Sequence, residues 1–221
     1  MAKTADALMA VAASQVGYDR YQDPEQGTKY GRWYAELTHS PWFGTNGVPY
    51  CAMFVSWCLD QCGIACVGTP TASCTSGLLT AARGAKALKR VSAAKKGDLV
   101  LFSWEGAGYT ASEADHVGLV VSNSGSTLST IEGNVDDGKV LRRTRGYSTV
   151  VGVITPQFEQ PKPGPFSDVD DSTPHHEDIA WMKEAGIAKG FPDGTYRPYE
   201  AVTRADAAAF LHRLYNLIEG K

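Results

Sequence analysis

The stretch "EQPKPGPFSD", Glu159 to Asp168, carries three prolines and a glycine between Pro161 and Pro165. Proline lacks a backbone N–H and fixes its own φ, so neither a helix nor a strand ladder can run through this segment. The chain of 221 residues is therefore expected to fold as two bodies, 1–158 and 166–221, joined by a linker at 159–165. With 43% hydrophobic residues it can bury a real core, although a fifty-residue unit alone has little of one. Before Phe166 there are 15 basic and 14 acidic residues, and from there on 6 and 10. Neither body is a polycation, which argues against nucleic acid as a partner.

The opening, "MAKTADALMAVAASQVGYDRY", places Ala5, Leu8, Met9, Ala12, Ala13 and Val16 at helical spacing with polar residues between them. It reads as an amphipathic helix of the fold and not as a signal peptide. No apolar run approaches the length of a membrane span, so no membrane partner is expected. The chain reads helical to about Leu88, then turns to strands in "GDLVLFSW", "DHVGLVVS", "TLSTIEG", "GKVLRRTR" and "VVGVIT". Helices first and an antiparallel meander after make an α+β fold.

Cysteines stand at 51, 58, 62, 66 and 74, an odd number and crowded, which is not a disulfide framework. Cys58 and Cys62 lie one helical turn apart and share a buried face with Phe54 and Val55, with Gly63 placed to end the helix. A zinc site built from 58, 62, 66 and 74 lacks paired CxxC knuckles and a nearby histidine.

Cys51 is different. In "PYCAMFVSWCLDQCG", Pro49 stops any earlier helix, and the apolar pattern of Ala52, Val55, Leu59 and Cys62 starts just after the cysteine. The thiol thus sits at a helix N-terminus, where unpaired N–H groups and the dipole lower its pKa, and its own N–H is a natural oxyanion donor. His116 opens the strand "DHVGLVV", free to face a helix end. Leu128, Thr130 and Glu132 share one face of the next strand, so Glu132 points where buried groups point and needs a partner. An imidazole from the adjacent strand would be that partner, held in turn by the acid or by Asn134 in the tautomer that accepts a thiol proton. Spacing alone leaves open that Cys51 is a buried apolar thiol and His116 a structural strand-end residue.

Together "PYCAMFVSWC", "KKGDLVLFSW", "DHVGLVVS" and "TIEGN" resemble the successive motifs of the CHAP family, cysteine- and histidine-dependent amidohydrolases and peptidases. The resemblance implies a papain-like catalytic domain over 1–158 in which Cys51 attacks, His116 is the base, Glu132 orients it and Asn134 assists. It also implies peptidoglycan as substrate and no cofactor. Some members carry an aspartate-rich calcium loop before the cysteine, but "ELTHSPWFGTNGVPYC" offers only Glu36, so that site is expected to be absent, and Asp19, Asp23 and Glu25 read as a solvated turn. Trp42, Tyr50 and Trp104 are candidate substrate contacts, and Trp33 can serve a glycan groove or the core.

After the linker, "FSDV", "GFPDGTYRP" and "TRAD" resemble a surface-layer homology repeat. Thr173 and Pro174 read as the N-cap and first residue of a helix, Gly186 as its stop, and Thr203 with Asp206 as a capping box before Ala207, Phe210, Leu211, Leu214 and Leu217. The resemblance implies an α-helical module that binds secondary cell-wall polymer through Arg204. Such repeats usually pack in groups, so a single one is expected to rest its stripe on the first domain or on other copies, as in a homotrimer. Adjacent His175 and His176 are expected to be exposed and not metal-bound.

A wall-cutting domain joined to a wall-binding one describes a lysin acting on the outer side of the bacterial cell, either an N-acetylmuramoyl-L-alanine amidase or a peptidoglycan endopeptidase working through a thioester. Without a signal peptide, the expectation is a phage or prophage endolysin released through a holin-type membrane hole. The alternatives are a non-catalytic wall-binding or assembly protein, and a thiol acyltransferase.

Overall fold

The computed structural model describes residues 3–105, 108–159 and 164–220. They form two compact units, Met1–Glu159 and Gln160–Lys221. Most of the expected linker, residues 160–163, lies outside the described residues.

In the first unit, α1 (Ala5–Ser14) and α2 (Lys29–Thr38) begin at Thr4 and Thr28, whose hydroxyls accept from Ala7 N–H and Gly31 N–H. Leu8, Met9 and Ala12 of α1 are buried. The central α3 (Cys51–Gln61) buries nearly its whole length and ends at Gly63 in the left-handed region, φ 63°. A π-helical turn, Cys74–Leu79, runs into the short α4 (Thr80–Gly84).

Six antiparallel strands follow: β1 (Leu88–Lys89), β2 (Leu99–Phe102), β3 (His116–Asn123), β4 (Thr127–Val135), β5 (Lys139–Gly146) and β6 (Val150–Ile154). Their spatial order is β1-β6-β2-β3-β4-β5. The expected meander holds from β2 to β5, but β6 returns across the sheet to lie between β1 and β2. Its five residues are all buried, and a strand apolar on both faces belongs in the interior of a sheet. Leu99, Leu101, Val117, Leu119 and Ile131 pack with the helices in the main core, while Val100, Phe102, Val120 and Leu128 form a smaller cluster. By the two-residue period, His116, Gly118 and Glu132 share the face of that smaller cluster.

In the second unit, α5 (His176–Glu184) and α6 (Arg204–Ile218) surround Phe166, Val169, Ile179 and Ala188. The start of α5 corrects the expectation from Thr173-Pro174. Thr173 Oγ1 accepts Asp170 N–H inside a turn, His176 N–H bonds back to Thr173 O, and the helix begins two residues later behind His175 at φ 60°. His175 is exposed and His176 half-buried. The Asp168 carboxylate accepts from Tyr196 N–H and Arg197 N–H, both at 2.7 Å, tying the opening of the unit to its central turn. Thr203 caps α6 by accepting Asp206 N–H at 3.1 Å. Of the stripe on α6, Ala207, Phe210 and Leu214 are half-buried, whereas Leu211 and Leu217 are exposed, as is Ile218 beyond it.

Candidate active site

The residue before the cysteine sets its position. Tyr50 is fully buried; its hydroxyl donates to Gly138 O at 2.9 Å, its ring stacks on Tyr30 at 5.2 Å, and the Arg20 guanidinium lies over it at 5.4 Å. This corrects the expectation that Tyr50 contacts substrate, since its face is spent on Tyr30 and Arg20. What it does is pin the start of α3, where Phe54 N–H bonds Tyr50 O at 2.7 Å. Cys51 itself is 7% exposed.

His116, the first residue of β3, stands opposite Phe102 of β2. Its ring is close enough to the Cys51 thiol for each to shift the other's titration, and its Nε2 lies 2.9 Å from Glu132 Oε2. Glu132 is fully buried in β4 and every side of its carboxylate is used: Thr130 Oγ1 donates at 2.5 Å, Arg145 Nε at 2.9 Å and Arg145 Nη2 at 2.6 Å. The stem of Glu132 lies over Gly118 of β3, where a Cβ would stand only 2.6 Å from Glu132 Cγ. That glycine gives the carboxylate its seat. Arg145 in turn covers the rings of Trp104 and Phe102 at 5.2 and 5.6 Å, and Trp104 lies 5.8 Å from the imidazole.

The charges follow from these contacts. A hydrogen bond from the Cys74 thiol, 3.7 Å away, and then the His116 ring hold the Cys51 thiol well below its ordinary value against the cost of burial. Burial opposes a charged imidazole, but Cys51 and Glu132 outweigh it and push His116 up to about 9. Burial likewise opposes the Glu132 carboxylate, and Arg145, His116 and Thr130 overcome it to hold the group at about 2. The shifts favour a thiolate beside an imidazolium, backed by a carboxylate and a guanidinium.

The structure brings Cys51, His116 and Glu132 together. Asn134 is at φ 61°, in the irregular stretch where β4 loses register with β5, and its Oδ1 accepts from Arg20 Nη2 at 2.6 Å. Its side chain is thus committed to Arg20. It still borders a cleft of about 510 Å3 beside the imidazole, lined also by Trp104, His116, Asp136, Arg143 and Arg145. Trp104 is 49% exposed there, while Trp42, 63% exposed, packs edge-on to Phe43 and does not line this cleft. Trp33 is half-buried against Tyr34.

At the turn after α1, Asp23 is taken up by Tyr18 Oη, Lys29 N–H and Arg32, Asp19 caps Tyr21 N–H, and Glu25 pairs with Arg32. Among the described residues, no group of three or more His, Cys, Asp or Glu side chains is arranged to hold a metal ion. In the second unit Arg204 opens α6 and is exposed; it does not line the neighbouring cleft of about 210 Å3, bordered by Lys189, Phe191, Arg197, Glu200 and Arg213.

Three residues of the site escape sequence reasoning. Arg145 had a signal, since positions 141, 143 and 145 alternate onto the face that carries Glu132, and a buried acid needs a countercharge. Thr130 shares that face. Cys74, 23 positions from Cys51 and in an irregular stretch, had none.

Comparison with known proteins gives two matches to family models. The CHAP domain model matches residues 43–134 and the S-layer homology domain model matches residues 165–208. An S-layer protein of Bacillus licheniformis is 34% identical over 79 residues, which cover 36% of this chain and 9% of that protein. The chain therefore corresponds to a small part of that relative's length. The residues matched to the CHAP model lie in the α+β first unit, and those matched to the S-layer homology model lie in the helical second unit. Arg20 and Arg145 both lie outside the matched residues.

Proposed function

From a CHAP domain and an S-layer homology domain on one chain, we propose that this protein is a cysteine-dependent peptidoglycan hydrolase, an N-acetylmuramoyl-L-alanine amidase or an endopeptidase, with its own wall anchor. The observation that carries this reading is the grouping of Cys51 with His116, whose ring is hydrogen-bonded to a buried Glu132 that Arg145 grips in turn, with the thiol held low and the imidazole held high. CHAP domains are generally cysteine- and histidine-dependent amidohydrolases or peptidases, which fits that series.

In the proposed cycle the Cys51 thiolate adds to an amide carbonyl. The negative oxygen is held by backbone N–H groups at the start of α3, where no side chain caps the helix. His116 gives its proton to the leaving amine, then takes one from the water that releases the acyl group from sulfur. Glu132 keeps the ring oriented throughout, and Arg145 keeps Glu132 ionised. Trp104, half exposed beside the ring, offers an apolar face to a sugar or a peptide.

The second unit serves as the anchor, with Arg204 as a contact to secondary wall polymer. The exposed Leu211, Leu217 and Ile218 on α6 support assembly into a homo-oligomer such as a trimer, which light scattering tests; a monomeric mass at working concentration refutes it.

The central test is clearing of purified Gram-positive walls by the wild type and by Cys51→Ala, with wall pelleting alongside. Clearing that vanishes in the variant while pelleting persists is the expected result, and mass spectrometry of the fragments names the bond. Equal behaviour of the two proteins, bound but not clearing, refutes hydrolysis.

A further inference from the structure

Cys74 is the group in this site that the cycle above leaves idle. Its sulfur lies 3.7 Å from that of Cys51, and both residues are nearly buried. It begins the π-helical turn at 74–79, and that turn is fastened twice. Ser73 Oγ accepts Ser76 N–H at 3.0 Å, and Thr75 Oγ1 both donates to Ala114 O and accepts Ala114 N–H, each at 3.0 Å. Ala114 lies two residues before His116, so the same tie that seats the histidine seats the second thiol. A disulfide needs the sulfurs at about 2 Å, so from 3.7 Å the two must close by roughly 1.7 Å.

We infer that Cys51 and Cys74 form a reversible disulfide that switches the site off when a hydroperoxide oxidises it. The regulatory part rests on the hydrolase reading; the chemistry of the pair does not. In the first step the Cys51 thiolate attacks the outer oxygen of the hydroperoxide. The S–O bond forms as the O–O bond breaks, Cys51 is oxidised to the sulfenic acid, and the departing alkoxide takes the His116 proton to become an alcohol. In the second step Cys74 gives its proton to the now neutral imidazole and attacks the Cys51 sulfur. The S–S bond forms, the S–O bond breaks, and the departing hydroxide recovers that proton as water. Two thiols and one hydroperoxide thus become a disulfide, an alcohol and water.

The other three cysteines are poor rivals. Burial raises the thiols of Cys58, Cys62 and Cys66, the last to about 12, so they stay protonated where Cys51 does not. Linked to Cys74, the Cys51 sulfur cannot attack an amide, and only a thiol donor restores it.

The test uses the full chain, reduced and then treated with graded hydrogen peroxide, alkylated and digested without reduction. Between Arg32 and Arg83 there is no lysine or arginine, so trypsin leaves all five cysteines on one peptide, and chymotrypsin must be used. The expected result is a linked pair of peptides holding Cys51 and Cys74, lighter by two hydrogens, that grows in step with the loss of wall clearing. Dithiothreitol should reverse both. Cys74→Ser keeps a hydrogen-bond donor beside Cys51 but cannot form the link; compared with its own untreated activity, it should lose clearing irreversibly as Cys51 passes to the sulfinic acid. Consumption of the Cys51 thiol in the wild type without the linked pair overturns the inference. So does recovery of Cys74→Ser equal to that of the wild type, with its fold checked by circular dichroism. Should Cys51→Ala clear walls as well as the wild type, the hydrolase reading fails and with it the switching of activity, while the linked peptides still decide whether the disulfide forms.

Discussion

Gly118→Ala tests whether the seat of Glu132 matters to the chemistry, because it alters no polar group of the site. The added Cβ would stand 2.6 Å from Glu132 Cγ. Carbon atoms in contact sit at about 3.5–4 Å, so the stem must retreat by about 1 Å. The carboxylate makes its bonds to His116 at 2.9 Å and to Arg145 at 2.6 and 2.9 Å, and such a shift takes at least one of them out of hydrogen-bonding range. A misplacement of about 1 Å can cost on the order of 100-fold in rate, equivalent to about 3 kcal/mol of transition-state stabilisation. Overpacking should remove about 1–3 kcal/mol of stability as well, so the melting temperature is measured beside the rate of peptidoglycan cleavage. A second reading guards against a trivial loss: an imidazole that has lost its carboxylate should titrate below its present value of about 9, moving the alkaline limb of kcat/KM downward. Gly146→Ala is the control, since its nearest neighbour would be Ser148 Oγ at 3.9 Å and its φ of −71° suits alanine. If Gly118→Ala is folded, keeps the wild-type pH profile and cleaves within a factor of about two of wild type, the account of Glu132 is wrong.

The wild-type kcat/KM should fall as pH rises through about 9, where His116 loses the proton it gives to the leaving amine. The same group sets a stability trend. Its folded pKa lies above the unfolded value near 6.5, so its contribution is complete below that pH and is lost on the way up through about 9; calorimetry should show the decline, flattened in His116→Gln. Glu132 acts in the opposite sense, contributing above about 4.5 and losing its contribution as pH falls through about 2. Arg145→Gln should cost about 2 kcal/mol in urea unfolding, less than the ~3–5 of a fully buried pair because the guanidinium is 25% exposed, and should slow cleavage by freeing Glu132 to move. Thr203→Ala removes the cap of α6 and about 1 kcal/mol, so amides in the first turn of that helix should exchange about fivefold faster while cleavage is unchanged.

Cys51, His116 and Glu132 were legible because each sits where a local rule places it: a helix start after proline, a strand's first residue, and an alternate position on the next strand. The rest depends on neighbours that no local rule names. Tyr50 was expected to contact substrate, yet its hydroxyl is satisfied internally by Gly138 O, which leaves the ring free to be buried. Asn134 sits one position past a conformational break, and a residue at positive φ points off the alternating pattern, here toward Arg20, more than a hundred residues earlier in the chain. The start of α5 was misread because Thr173 and Pro174 suit a tight turn as well as a helix start, and Asp170 decides between them. The place of β6 had a trace in "VVGVI", a run with no polar alternate, but choosing an interior position over an edge requires knowing which strand is left with an open side.

That interior position makes the assembly of the first unit a matter of timing. Val153 pairs with both Lys89 and Val100, and Ile154 with both Leu88 and Leu99, so β1 and β2 do not pair and each waits for a segment made about fifty or more residues later. During synthesis the hairpin of β4 and β5 can close as soon as it emerges, whereas β2 keeps one edge unsatisfied until Ile154 has cleared the ribosome. Phe102, which stacks on Trp104 beside the imidazole, is on that waiting strand and pairs with Val150 of β6. Cys51 and His116 are thus translated long before the sheet beside them is complete, and a nascent chain stopped short of β6 would carry Cys51, His116 and Glu132 without a finished sheet to hold them.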